Sequence, residues 1–287
     1  VVTSLNPADN ATGVSGSTNL VMTFNEDVMA GAGNIEIRRT SDNGLFESIP
    51  IGDAKVTIAT NTVTINPAGT LVSDTEYYVL VAATAIDDTS GNSYAGIVST
   101  TTWSFTTADT SNPVITSLNP ADNATGVSGS ANLVMTFNED VMAGAGNIEI
   151  RRTSDNGLFE SIPIGDAKVT IATNTVTINP AGTLVSDTEY YVLVAATAID
   201  DTSGNSYAGI VSTTAWSFTI ADTSNPVVTS LNPADNATGV SASTNLVMTF
   251  NEDVMAGAGN IEIRRTSDNG LFESIPIGDA KVTIATN

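Results

Sequence analysis

The 287-residue chain carries 31 acidic residues against 9 basic ones, a net charge of −22, with no cysteine and no histidine. Such a field repels nucleic acid and anionic membrane. The missing residues exclude disulfide staples and remove the commonest general base and zinc ligand.

Leu20, Met22 and Phe24 alternate with Val21 and Thr23, which predicts a half-buried strand. The polar stretch NEDVMAGAGN follows as a loop. Ile35 and Ile37 then alternate with Glu36 and Arg38, and Val56 and Ile58 with Thr57 and Ala59. Val63 and Ile65 continue after a turn at Asn61. Tyr77, Val79 and Val81 alternate with Tyr78, Leu80 and Ala82, and Trp103 and Phe105 with Ser104 and Thr106. Short period-two runs, punctuated by Gly, Pro, Asn and Asp, predict an all-β sandwich with Trp103 in its core. Strands of about eight residues would span about 26 Å. The longest apolar run, Tyr77 to Ile86, is about half of what a bilayer crossing requires.

The whole pattern repeats. The phrase SLNPADNATGV starts at Ser4, Ser117 and Ser230, a constant period of 113 residues (117 − 4 and 230 − 117). Domains are therefore expected at 1–113, 114–226 and 227–287, the last being only the first half of a repeat. Each full copy carries 12 carboxylates and three cations, Arg38, Arg39 and Lys55 in the first. Copies one and two differ only at Val2/Ile115, Thr18/Ala131, Thr102/Ala215 and Thr107/Ile220, and the third adds Gly16/Ala242. All five changes read as tolerable on a sandwich. The short segment ADTSNP, Ala108 to Pro113, ends in proline and reads as a stiff joint.

The third copy is expected to end in a strand at Val282 to Ala285 and to lack the later strands. Half a sandwich exposes sheet edges. Either the 287 residues are a window on a longer repetitive chain, or a neighbouring chain donates the missing strands. The chain also starts directly in a repeat without a signal peptide, as a mature or excised piece would.

NPADNATGV, LVMTFNEDV, LVSDTEYYVLV, DDTSGNSYAG and WSFTT together resemble the bacterial Ig-like domains of surface-layer proteins and large adhesins. TEYYVLV is also similar to fibronectin type III domains, where a tyrosine follows the turn into strand F, which suggests Tyr77 as a tyrosine-corner residue. The resemblance implies a seven- or eight-stranded Greek-key sandwich, repeated in tandem on short stiff linkers. It implies no single activity.

In a sandwich of that kind the incoming linker meets the B–C and F–G loops of the following domain. At the first joint these bring Asp109, Asn138, Glu139, Asp140, Asp200, Asp201 and Asn205 toward one pole. Five convergent carboxylates repel one another unless a cation sits among them. Calcium, with 6–8 oxygen ligands, fits such a set better than magnesium. Asp and Asn also suit ordinary turn geometry, and no linear EF-hand pattern is present.

Other features are weaker. Asn10-Ala11-Thr12 is a glycosylation sequon. Lys55, the one lysine per copy, invites comparison with lysine–asparagine isopeptide crosslinks of bacterial surface domains, but a solvated strand-edge lysine is the plainer expectation. Arg38 and Arg39 are expected to pair with Glu36 or Glu47. The carboxylate pairs Glu26-Asp27 and Asp87-Asp88 have no evident aromatic cleft beside them, and no Ser-His-Asp arrangement is possible. The expectation is a non-enzymatic stalk or filament segment of a bacterial surface protein or adhesin. Its partners would be neighbouring repeats. The alternative is a glycan- or ligand-binding module acting by avidity, with Tyr94, Tyr207 and Tyr78 as an exposed aromatic platform.

Overall fold

The structure, a computed structural model, describes residues 1–285. In the first repeat the strands are β1 (Val2–Asn6), β2 (Ala11–Val14), β3 (Leu20–Phe24), β4 (Val28–Ala30), β5 (Asn34–Arg39), β6 (Leu45–Pro50), β7 (Val56–Ala59), β8 (Thr62–Ile65), β9 (Glu76–Val81), β10 (Ile86–Asp88) and β11 (Ser104–Thr107). The second repeat gives β12 (Ile115–Asn119), β13 (Ala124–Val127), β14 (Leu133–Phe137), β15 (Val141–Ala143), β16 (Asn147–Arg152), β17 (Leu158–Pro163), β18 (Val169–Ala172), β19 (Thr175–Ile178), β20 (Glu189–Val194), β21 (Ile199–Asp201) and β22 (Ser217–Ile220). The third gives β23 (Val228–Asn232), β24 (Val247–Phe250), β25 (Asn260–Arg264) and β26 (Leu271–Pro276).

Each full repeat packs a four-stranded sheet, β1-β3-β8-β7, against a five-stranded one, β2-β11-β9-β5-β6, with β10 and β4 forming a small ribbon. Eleven strands replace the seven or eight expected, and none exceeds six residues. The alternation seen in the sequence is the core: Leu20, Met22, Ile35, Ile37, Val63, Ile65, Tyr77, Val79 and Trp103 have no exposed surface. The Trp103 indole N–H donates to the Pro7 carbonyl at 2.8 Å, fastening β11 to the crossover between β1 and β2. The Tyr77 hydroxyl accepts the Val72 N–H at 3.1 Å, the upstream bond of a tyrosine corner.

Two of the strands that escaped the periodicity, β1 and β6, did so for one physical reason. β6 carries a bulge opposite Ile37 and Arg38, and β1 another at Val2/Ser4. An inserted residue shifts the inward positions, so Phe46 and Ile49, like Val2 and Leu5, face the core three apart instead of two.

Of the expected cation pairs, Arg38 with Glu36 forms, while Arg39 and Glu47 find other partners. Arg38 binds Glu36 at 2.8 Å, Arg39 turns back to Asp42 at 2.9 Å, and Glu47 takes Lys55 at 2.6 Å. Lys55, its side chain still 37% exposed, thus also acts as an ion-paired clamp between β6 and the turn before β7. The Gly16/Ala242 change is also less innocent than it reads. A Cβ on Gly16 would meet the Leu71 carbonyl at 2.6 Å, so a complete repeat must shift to admit it.

In the hairpin turn after β5, Asp42 accepts the Gly44 N–H at 2.8 Å. That bond, with Arg39 nearby, holds its carboxyl below the usual carboxylate range, and Asp155 is held down in the same way by Gly157 and Arg152. A lowered folded-state pKa contributes stability above the ordinary Asp range and loses it as pH falls through the folded value. Urea melts should therefore show stability declining below about pH 4. In an Asp42→Asn/Asp155→Asn variant the decline should be shallower; an unchanged slope would refute these two groups as contributors.

The described chain forms two compact units: Val1–Leu184 with Thr188–Ile220, and Val185–Asp187 with Ala221 onward. The first unit holds both full repeats except Val185–Asp187 and the closing linker from Ala221. In the second, β23 pairs with β24 and β25 with β26, and no described residue of the third repeat is buried. Leu246 is 62% exposed where Leu20 and Leu133 are fully buried. The strand expected at Val282 to Ala285 does not form. Its counterpart β7 has β8 as its hydrogen-bonded neighbour, and no such partner is present among the described residues of the third repeat.

Candidate functional site

The joint between the first two repeats is built from three pieces of chain. The first is the turn after β21. Asp201 accepts the Ser203 and Asn205 N–H groups on Oδ1, at 2.8 and 2.7 Å, and the Asn205 amide on Oδ2 at 2.7 Å. One carboxylate thereby closes the loop DTSGN, with Gly204 supplying a positive φ of 91°.

The second piece is the segment around β15, read from sequence as a plain loop. Its three residues pair with β21, Val141 opposite Asp201, Met142 opposite Asp200 and Ala143 opposite Ile199. The ribbon needs Gly144, where a Cβ would meet the Thr197 carbonyl at 2.4 Å and the Asp200 carboxylate at 2.7 Å. Glu139 stands just before this ribbon and so is fixed relative to Asp201.

The third piece is the linker. Asp109 Oδ1 accepts the Ser111 N–H at 2.9 Å and the Ser73 hydroxyl at 3.0 Å, while the Ser73 Oγ accepts the Thr110 N–H at 2.8 Å. The linker is thus latched to the turn before β9 of its own repeat. Across the joint, the Asn205 amide donates to the Asp109 carbonyl at 3.3 Å.

These pieces bring one carboxylate oxygen each from Asp109, Glu139 and Asp201 within 4.8 Å of one another. Of the seven residues expected at this pole, Asn138 and Asn205 stand beside the trio. Asn138 accepts the Val114 N–H at 2.6 Å and donates to Glu139 at 3.2 Å. Asp200 is drawn away, accepting the Ser206 hydroxyl at 2.6 Å beside Gly144. Asp140 is exposed and outside the trio. Three carboxylates meet here instead of five; Asp200 is excluded because it and Asp201, adjacent on the ribbon, point to opposite faces.

The electrostatics follow from that geometry. Burial, together with the Asp109 and Asp201 charges, pushes the Glu139 carboxyl up. The Ser111 N–H and the Ser73 hydroxyl hold Asp109 down. The first repeat provides an internal comparison with identical residues and no described residues ahead of its pole. Asp88 closes its loop with the same bonds yet is half-buried, whereas Asp201 is 1% exposed. Val141 is likewise buried where Val28 is only half-buried. The pole is covered by the repeat that precedes it.

In the second unit Asp222 and Glu252 repeat the Asp109–Glu139 pair. A hydrogen bond to Asp222 raises the Glu252 carboxyl, and its Oε1 is shielded without a hydrogen-bond partner among the described residues.

The tyrosines do not make the exposed platform expected of a glycan site. Tyr94 and Tyr207 stand edge-on to Phe24 and Phe137, each with ring centroids 5.3 Å apart, half-buried against the core. Tyr78 is 3% exposed, with its hydroxyl on Asn43.

A family model of the bacterial Ig-like domain matches residues 1–107, 109–220 and 222–287. The chain belongs to the bacterial Ig-like domain family. Among solved structures, this bacterial Ig-like chain is similar to an I-band fragment of titin, with 11% identity, 77% of this chain and 65% of that one covered, and a TM-score of 0.31. It is similar to the N-terminal part of the bacterial S-layer protein SbsC, with 16% identity, coverage of 64% and 41%, and a TM-score of 0.26. It is also similar to a biofilm associated protein, with 12% identity, coverage of 78% and 30%, and a TM-score of 0.20. The chain spans less than two thirds of the length of each of these structures. No curated protein matches it significantly. No helix among the described residues is long and apolar enough to cross a membrane.

Proposed function

We propose that these bacterial Ig-like repeats form a structural, non-catalytic stalk or filament segment of an extracellular surface protein or adhesin, stiffened at its joints by calcium. The observation that carries the reading is the carboxylate trio of Asp109, Glu139 and Asp201, contributed by two successive repeats, with Asp201 buried where its first-repeat counterpart Asp88 is half-buried. Near-identical copies at a fixed period add length and identical joints, which suits a stalk better than a row of active sites. The carboxylate pair Asp87-Asp88 is engaged in loop closure, with Asp87 on the Ser93 hydroxyl at 2.6 Å, which supports a role in architecture over acid–base chemistry.

The donor set suits calcium. Oxygen ligands about 2.4 Å from one ion lie at most about 4.8 Å apart, and the trio falls within that span. Asp109, Glu139 and Asp201 would hold the ion, with water completing its shell. The bound charge would cancel the repulsion among them and tie the linker to the next domain. Small-angle scattering with calcium and with EDTA tests this. Chelation should shorten the maximum dimension and broaden the interdomain distances, and thermal melting should fall in parallel. Identical profiles in both buffers would overturn the calcium part while leaving the stalk reading intact.

A further inference from the structure

Each repeat contains one Asn-Gly step, Asn43-Gly44, Asn156-Gly157 and Asn269-Gly270, and the chain has no others. All three asparagines are exposed in a hairpin turn with φ near 55°. Asn-Gly is the peptide step most open to deamidation, because glycine puts no side chain in the way of its own nitrogen. The Gly nitrogen attacks the Asn Cγ, forming a C–N bond. The Cγ–Nδ2 bond then breaks, and the proton from the Gly N–H leaves with Nδ2 as ammonia. Water opens the resulting succinimide at either carbonyl, giving aspartate or isoaspartate.

We propose that this turn is a conditional deamidation site, protected in a complete repeat by a tyrosine from the facing strand and unprotected where that strand is missing. In the first repeat the Tyr78 hydroxyl on β9 donates to Asn43 Oδ1 at 3.1 Å, and in the second Tyr191 on β20 donates to Asn156 Oδ1 at 3.2 Å. Tyr78 and Tyr191 are each 3% exposed, so the hydroxyl comes from a fixed ring. The bond holds the Asn carbonyl toward the sheet, and attack requires the side chain to swing back over its own backbone. A second restraint is common to all three copies. The Gly N–H donates to the preceding Asp, at 2.8 Å for Gly44 and Gly157 and 3.0 Å for Gly270. These 287 residues stop short of the position of that tyrosine in the third repeat, and among the described residues β25 is paired with β26 alone. The chain therefore contains its own comparison: the same turn with and without the tyrosine lock.

Conversion adds a carboxylate beside Asp42 or its equivalent and, as isoaspartate, an extra backbone carbon in the turn. Being irreversible, it marks any repeat whose β9 strand has left its place. The test is peptide mapping by mass spectrometry of the 287-residue chain, incubated folded in warm, mildly alkaline buffer. Asn269 should convert about fivefold faster than Asn43 or Asn156, the factor expected of one lost hydrogen bond. Tyr78→Phe should bring Asn43 toward the Asn269 rate while Asn156 stays slow. In concentrated urea all three rates should converge. Circular dichroism checks that the variant is folded, and Tyr191→Phe offers the same comparison in the second repeat. Equal rates at all three sites in the folded chain, or no acceleration in either folded variant, would overturn the proposal.

Discussion

Replacing Trp216 by alanine should destabilise the second repeat by about 3–5 kcal/mol, the range for a buried Trp or Phe truncated to alanine. Trp216 has no exposed surface, and its indole N–H is bonded to the Pro120 carbonyl at 2.8 Å. Truncation both empties the centre of the sandwich and strands a buried acceptor. The melting point of that repeat should fall by about 15 °C or more. Trp216→Phe should cost less, since it refills most of the volume and loses chiefly the hydrogen bond. Calorimetry separates the effect from the first repeat, whose Trp103 is intact and whose transition should not move. A shift of only a degree or two for Trp216→Ala would mean that the sandwich is not organised around this residue.

Glu139→Gln should reverse its effect with calcium. Without metal the substitution removes one charge from the mutually repelling trio, so the variant should melt above the parent. With calcium at about a hundredfold over its dissociation constant, the parent gains about 2.7 kcal/mol, or roughly 10–20 °C for a domain of this size. The variant, with one anionic ligand fewer, should gain much less and fall below the parent. Glu26→Gln is the control in this 287-residue chain, because Glu26 occupies the same position in the first repeat and is not part of the trio. It should show no calcium dependence. If Glu139→Gln and Glu26→Gln respond alike, the trio is not the calcium site.

The core strands were legible because the period of two survives wherever the ladder is regular. Met22, Ile37 and Val79 are buried where their alternation places them. β1 and β6 were not, because a bulge displaces their inward residues by one. The residue types at the joint were legible from the Asp- and Asn-rich loops, but not which carboxylates meet. That depends on the β15–β21 ribbon, three residues on each side, too short for any periodicity to register. It turns Asp200 one way and Asp201 the other. The fate of Tyr94 was hidden for a similar reason: a loop tyrosine reads as exposed until Phe24 is seen beneath it.

The parallel pairing of β2 with β11 has a mechanical consequence. β2 lies near the entry of the chain into the repeat and β11 at its exit, and they run in the same direction, joined by bonds such as Asn10 N–H to Ser104 O at 2.8 Å and Ala108 N–H to Val14 O at 2.7 Å. Tension applied to the two ends of a repeat pulls these neighbours lengthwise past each other. Their hydrogen bonds are loaded in shear and must give way together, not peel one at a time. A chain of such repeats transmits a steady pull through the short seam where each domain's first and last segments lie side by side.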